Sequence, residues 1–120
     1  MNYQETVEYL KSYRDMHYRL EWLNNKIEGI KAAGYKNVNS GIHKTLNDYL
    51  DEKYLIEQKT SEIREMVANI EDYRQRLTVK YKFLEFMTLE EVANKMNYSY
   101  SQVYRYYREG IGSLIKIKTP

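Results

Sequence analysis

The sequence predicts an all-α protein in which a long antiparallel, coiled-coil-like helical hairpin is followed by a small C-terminal group of short helices. Three observations predict it. Apolar residues recur every three or four positions over two long stretches, the periodicity of one helix face. One proline and five glycines among 120 residues leave few places to break a helix. Charged residues at 30% describe a helix-rich chain with a limited core. The length suits one compact domain or two very small ones, which excludes most multidomain enzymes.

The first stripe runs through Val7, Leu10, Tyr13, Met16, Leu20, Leu23, Ile27 and Ile30. From Leu20 onward the steps alternate three and four, as in a coiled-coil seam with charged and polar residues between. The stripe stops at Ala32, Ala33 and Gly34, and residues 34–41 read as a loop by their glycine, asparagine and serine. A second stripe starts near His43 and passes through Leu46, Tyr49, Lys53, Ile56, Thr60, Ile63, Val67, Ile70 and Leu77, predicting a second long helix that folds back on the first. Lys53 and Thr60 weaken that seam, so further burial is expected from the C-terminal part or from a second subunit.

Charge divides the chain. Residues 1–75 hold 11 Lys and Arg against 13 Asp and Glu, whereas residues 76–120 hold 8 against 4. This places a helical arm, for dimerisation or partner contact, in 1–75 and a basic domain in 76–120, and a basic end points to a polyanionic partner. Within that end, Thr88 with Glu91 makes a capping-box signature, and Ser99 with Gln102 a related one. Val92, Ala93 and Met96 supply the buried face of one short helix, and Val103, Tyr106 and Leu114 that of the next. Ala93 is small enough for a close crossing, and Asn97 tolerates the left-handed backbone of a tight turn. The pattern is a helix-turn-helix, whose second helix enters the DNA major groove.

The run from Leu77 to Tyr107, above all Lys95-Met96-Asn97-Tyr98-Ser99 followed by Gln102-Val103-Tyr104-Arg105, resembles region four of bacterial sigma factors. With its helical arm, the chain is similar to small phage and prophage proteins of Firmicutes akin to ArpU-type late-gene regulators. The resemblance implies a DNA-binding transcription regulator, with host RNA polymerase as a further partner. That pattern usually has glycine where Phe86 stands and charged residues at the positions of Tyr100 and Ser101. Here the reading head is aromatic and neutral.

At 100° per residue, Tyr100, Ser101, Tyr104, Arg105 and Arg108 share one side of the second helix, opposite Val103, Tyr106 and Leu114. Tyr100, Ser101, Tyr104 and Arg105, near its N-terminus, are the expected base contacts: Arg105 forks onto guanine, and a tyrosine ring packs on a thymine methyl. Thr88, Lys95, Arg108, Lys116 and Lys118 are the expected phosphate contacts, which position without specifying. Because the net charge is only +2, a single copy is expected to bind weakly, and a homodimer through the N-terminal helices would add affinity.

Other chemistry has little support. The chain has no cysteine, which removes disulfides, thiolate nucleophiles and zinc ribbons and fits a reducing bacterial cytoplasm. His17 and His43 lack metal-site spacing, so neither metal nor cofactor is expected. No Walker loop, dinucleotide fingerprint or catalytic triad can be assembled, and an enzyme is not expected. No run approaches the roughly 18 to 20 apolar residues of a membrane span, and Met1–Leu10 is polar with two glutamates, unlike a secretory signal. Fourteen tyrosines suit wet interfaces; Tyr3, Tyr9, Tyr13, Tyr49 and Tyr73 are expected to pack, as is Trp22. Two alternatives stand beside regulation: a DNA-packaging protein like a small terminase subunit or an architectural one, and a helical protein-interaction module.

Overall fold

The computed structural model describes residues 1–34 and 45–118, with side chains as far as Ile115. Every regular element among them is helical: α1 (Tyr3–Ala32), α2 (Leu46–Ala68), α3 (Tyr73–Val79) continuing into a π-helical turn (Lys80–Leu84), α4 (Leu89–Met96) and α5 (Tyr100–Lys118). No helix among the described residues is long and apolar enough to cross a membrane. The expected loop after Ala33 opens on Gly34 at φ 65°, a left-handed stop for α1; the rest of that loop and His43 lie outside the described residues.

Local side-chain chemistry starts each helix. Asn2 and Glu5 exchange backbone bonds at the head of α1 (2.8 and 3.0 Å), Thr45 and Asp48 do so at α2, and Thr88 and Glu91 close the capping box of α4. Ser99 and Gln102 form the same reciprocal pair before α5, the amide oxygen of Gln102 accepting from the Ser99 N–H at 3.0 Å. Each pair satisfies backbone donors that the first helical turn leaves open.

The second helix is shorter than its apolar stripe suggests. The stripe passes through Ile70 to Leu77, but α2 ends at Ala68 and α3 begins only at Tyr73. The Asp72 carboxylate accepts from the N–H groups of Arg74 and Gln75, which starts a new helix, while the Asn69 and Ile70 N–H groups close the old one on the Glu65 and Val67 carbonyls and Arg76 Nη1 donates to the Ile70 carbonyl at 2.8 Å across the break. Ile70 stays buried and Leu77 half-buried on either side of the break. Apolar spacing alone carries no record of a cap.

The chain forms two compact units, Met1–Arg14 with Glu62–Pro120, and Asp15–Ser61. This division by contacts falls elsewhere than the charge shift after Gln75. In Asp15–Ser61, Leu23 and Ile27 of α1 and Thr60 of α2 are buried, with the Thr60 hydroxyl satisfied by the Glu57 carbonyl. Arg19 forks onto Glu52 (2.6 and 3.0 Å) and lies 4.4 Å over the Trp22 ring, which meets Tyr49 edge-on.

The other unit buries Val7, Leu10 and Tyr13 of α1, Ile63, Met66 and Val67 of α2, Val79 of α3, Phe83 of the π turn, Val92 and Ala93 of α4, and Val103, Tyr106, Ile111 and Leu114 of α5. Arg64 donates to the Tyr13 hydroxyl, and Tyr9 donates to Glu62. Tyr81, Met87, Leu89, Met96 and Tyr98 pack around Val92, Ala93 and Val103. Asn97 ends α4 at φ 61°, ψ 41°, the left-handed turn its amide side chain tolerates.

Gly110 sets how closely α3 and α5 approach. A Cβ there would stand 2.7 Å from Val79 Cγ2 and 3.3 Å from the Gln75 carbonyl oxygen. Gly112, one turn fraction on, has open space. Gly112→Ala should therefore stabilise the protein by about 0.5–1 kcal/mol through helix propensity, whereas Gly110→Ala should destabilise it by about 1–3 kcal/mol by overpacking. Denaturant unfolding checks both, and Val79→Ala should relieve part of the Gly110→Ala penalty.

Phe86 departs most from local preference. The π turn closes with the Glu85 N–H on the Lys80 carbonyl and the Met87 N–H on the Tyr81 carbonyl, with Phe86 between them at φ 60°. A side chain at that φ costs about 1–2 kcal/mol. The ring offsets the cost by meeting Tyr13 at a 6.2 Å centroid distance and lying under the Arg14 guanidinium at 5.6 Å. Phe86→Ala keeps the strain and loses the packing, while Phe86→Gly loses both. Thermal unfolding should accordingly find the glycine variant more stable than the alanine variant by about 1 kcal/mol, the reverse of their order in a helix.

Candidate nucleic-acid interface

Burying Val103, Tyr106, Gly110 and Leu114 turns the opposite side of α5 outward. Tyr100 is 48% exposed and Tyr104 45%, and Ser101, Arg105 and Arg108 are exposed beside them. The structure thus brings together all four expected base contacts and one of the expected phosphate contacts. They occupy the first turns of a 19-residue helix, whose amino end carries partial positive charge.

The tyrosines form a rail. Tyr100 stacks on Tyr104 (6.4 Å between centroids, 14° between planes), Tyr104 on Tyr107 (6.3 Å, 21°), and Tyr107 on the buried Phe83 (5.8 Å, 22°). Exposed rings are thereby held by a chain of contacts that ends in the core. Arg105 Nε lies 3.6 Å from Glu109 Oε1 one turn on, and its guanidinium sits 5.2 Å over the Tyr106 ring. Tyr106 also accepts from Arg74 Nη1 at 3.3 Å, and the cation beside it holds its hydroxyl below the ordinary tyrosine range.

The remaining expected contacts lie elsewhere. Thr88 accepts from the Glu91 N–H, while Glu91 accepts from the Thr88 N–H, and these bonds hold the Glu91 carboxyl below its usual range. Two of the donors at that helix start are therefore already engaged, the Thr88 N–H by a carboxylate and the Glu91 N–H by the Thr88 hydroxyl, in place of a phosphate. Lys95 lies over the Tyr81 ring at 4.6 Å and 3.9 Å from Glu85. The side chains of Lys116 and Lys118 lie outside the described residues. His17 pairs with Glu21 at 3.4 Å, and no three histidines or acids among the described residues come together as a metal site.

One member of the site escapes sequence reasoning. Tyr3, 39% exposed on the first turn of α1, lines a shallow concavity of about 430 Å³ together with Ser101, Tyr104, Arg105, Arg108 and Glu109. Nearly a hundred residues separate it from α5, and nothing in its local spacing marks it apart from the packing tyrosines. Its hydroxyl faces that of Tyr107, which burial pushes up to about 12.

No protein-family model, curated protein or solved structure matches the chain.

The raised Tyr107 pKa has a defined sign. Its neutral form is favoured in the folded state, so its contribution is fully present below the unfolded tyrosine value near 10 and is lost as pH rises through about 12. Unfolding free energies measured from pH 9 upward should fall across that window, and Tyr107→Phe should flatten the fall.

Proposed function

We propose that the chain is a sequence-specific double-stranded DNA-binding transcriptional regulator of the phage or prophage late-gene type. In this reading residues 1–75 form a helical hairpin arm, α4 and α5 form a helix-turn-helix resembling sigma region four, and α5 enters the major groove by its first turns. The protein acts in the bacterial cytoplasm, alone or beside host RNA polymerase. The observation that carries the reading is the exposed stripe of Tyr100, Ser101, Tyr104, Arg105 and Arg108 on a helix whose other side is sealed. Such a face combines hydrogen-bonding heads for base edges, rings for thymine methyls and cations for phosphates.

A modest net charge of +2 calls for help from a second copy. In Asp15–Ser61, Tyr18 and Trp22 on α1 and Tyr54 and Leu55 on α2 are exposed, and we assign dimerisation to that arm. The same exposed side chains favour, as a second reading, a helical module that binds another protein. A packaging role would instead require a ring of many copies.

Selection of duplexes from a random library by the purified protein tests the proposal. A defined consensus is expected, bound with an affinity that falls steeply with salt. The double variant Arg105→Ala plus Tyr104→Ala should lose at least tenfold in affinity for that consensus and relax its sequence preference. Failure to enrich any duplex, or binding indifferent to both substitutions, refutes α5 as the reader. Light scattering separates a dimer from a packaging ring.

A further inference from the structure

The concavity beside α5 gathers donors that this helix alone does not supply. Ser101, Arg105 and Arg108 come from successive turns of one helix face, and Tyr3 comes from the far end of the sequence. Among the described residues, neither the Ser101 hydroxyl nor the Arg108 guanidinium has a hydrogen-bond or ion-pair partner. The Tyr3 hydroxyl lies between Tyr107 and Arg108 at the edge of the concavity. Glu109 is occupied at its other oxygen by Gln75 Nε2 at 3.1 Å and shares its charge with Arg105.

Two arginines against one glutamate leave the lining with one positive charge. A phosphodiester carries one negative charge and matches it, whereas a phosphomonoester carries close to two. The Tyr104 ring forms an apolar part of the lining, suited to a deoxyribose, and the concavity is open enough to admit a continuous chain.

We propose that this concavity seats one backbone phosphodiester of the bound DNA, gripped by the Tyr3 hydroxyl and Arg108, so that the first turn of α1 is part of the DNA interface. The inference rests on the DNA-binding reading and adds to it a contact from outside the helix pair. Arg105 is left facing base edges, with Glu109 holding its guanidinium along the helix. Tyr3 and Arg108 then fix the depth and register at which α5 sits in the groove.

Fluorescence anisotropy with the full chain and a labelled duplex from the selection above tests it. Arg108→Gln should weaken binding about tenfold and lower the salt slope by about one. Tyr3→Phe, which keeps the ring and removes the hydroxyl, should weaken binding about five- to tenfold with the slope unchanged. Because both grip one phosphate, the double variant should lose no more than about twice what Arg108→Gln loses alone. Unfolding midpoints of the three variants should all lie well above the temperature of the binding measurement, which separates contact from support.

The outcomes divide cleanly. A wild-type protein that binds no duplex overturns the DNA-binding reading and this inference with it. A wild type that binds, with Tyr3→Phe unchanged or with the two losses simply adding, overturns the phosphate seat and leaves α5 as reader. Inorganic phosphate that binds the wild type but not Arg108→Gln, while leaving the duplex bound, assigns the concavity to the free anion and likewise overturns the proposal. A single methylphosphonate in the duplex that abolishes the effect of both substitutions supports it.

Discussion

The fit of α5 against α3 at Gly110 is the constraint on which the described C-terminal structure depends. With Val79 and the Gln75 carbonyl so close to the glycine, no side chain is accommodated without displacement. That contact fixes the rotation of α5, and with it the burial of Val103, Tyr106, Ile111 and Leu114. Once those four are inside, helical geometry sends Tyr100, Ser101, Tyr104, Arg105 and Arg108 to the other side. The candidate site is thus a consequence of core packing, since the residues that face outward do so because their neighbours cannot.

Around this contact the backbone is held by short-range chemistry, with one exception. Capping pairs start α1, α2, α4 and α5, and Asp72 starts α3. Phe86 instead occupies a left-handed conformation that its own side chain opposes, and its ring is stabilised by Tyr13 and Arg14 of α1. A glycine would take the turn without strain but would contribute no side chain to these contacts. The bend between the π turn and α4 is therefore coupled to packing against the first helix.

The many tyrosines divide by environment. Tyr13 and Tyr106 are buried with their hydroxyls bonded to Arg64 and Arg74, which satisfies the polar end of an otherwise apolar ring. Tyr100 and Tyr104 are exposed yet restrained by stacking that leads through Tyr107 to Phe83. Restrained exposed rings lose less freedom on contact with a ligand than mobile ones do. In the proposed DNA-binding role this restraint is the physical value of an aromatic face over one built from long flexible side chains.

By itself the sequence determined the helical class, the apolar faces of α1, α2, α4 and α5, the Thr88 and Ser99 caps, the left-handed turn at Asn97 and the outward stripe on α5. All of these follow from periodicity of about 3.6 residues or from hydrogen bonds spanning three residues, and both are local. Other features depended on contacts between residues far apart or on competition between bonds. The stripe through Ile70 and Leu77 concealed the break at Asp72, because apolar spacing registers burial and not capping. The role of Gly110 appears only when α3 lies against it, and the positive φ of Phe86 only when α1 supplies its neighbours. Tyr3 joined Ser101 and Arg108 in one concavity through folding alone, since nothing within a few residues of Tyr3 records what lies across space from it.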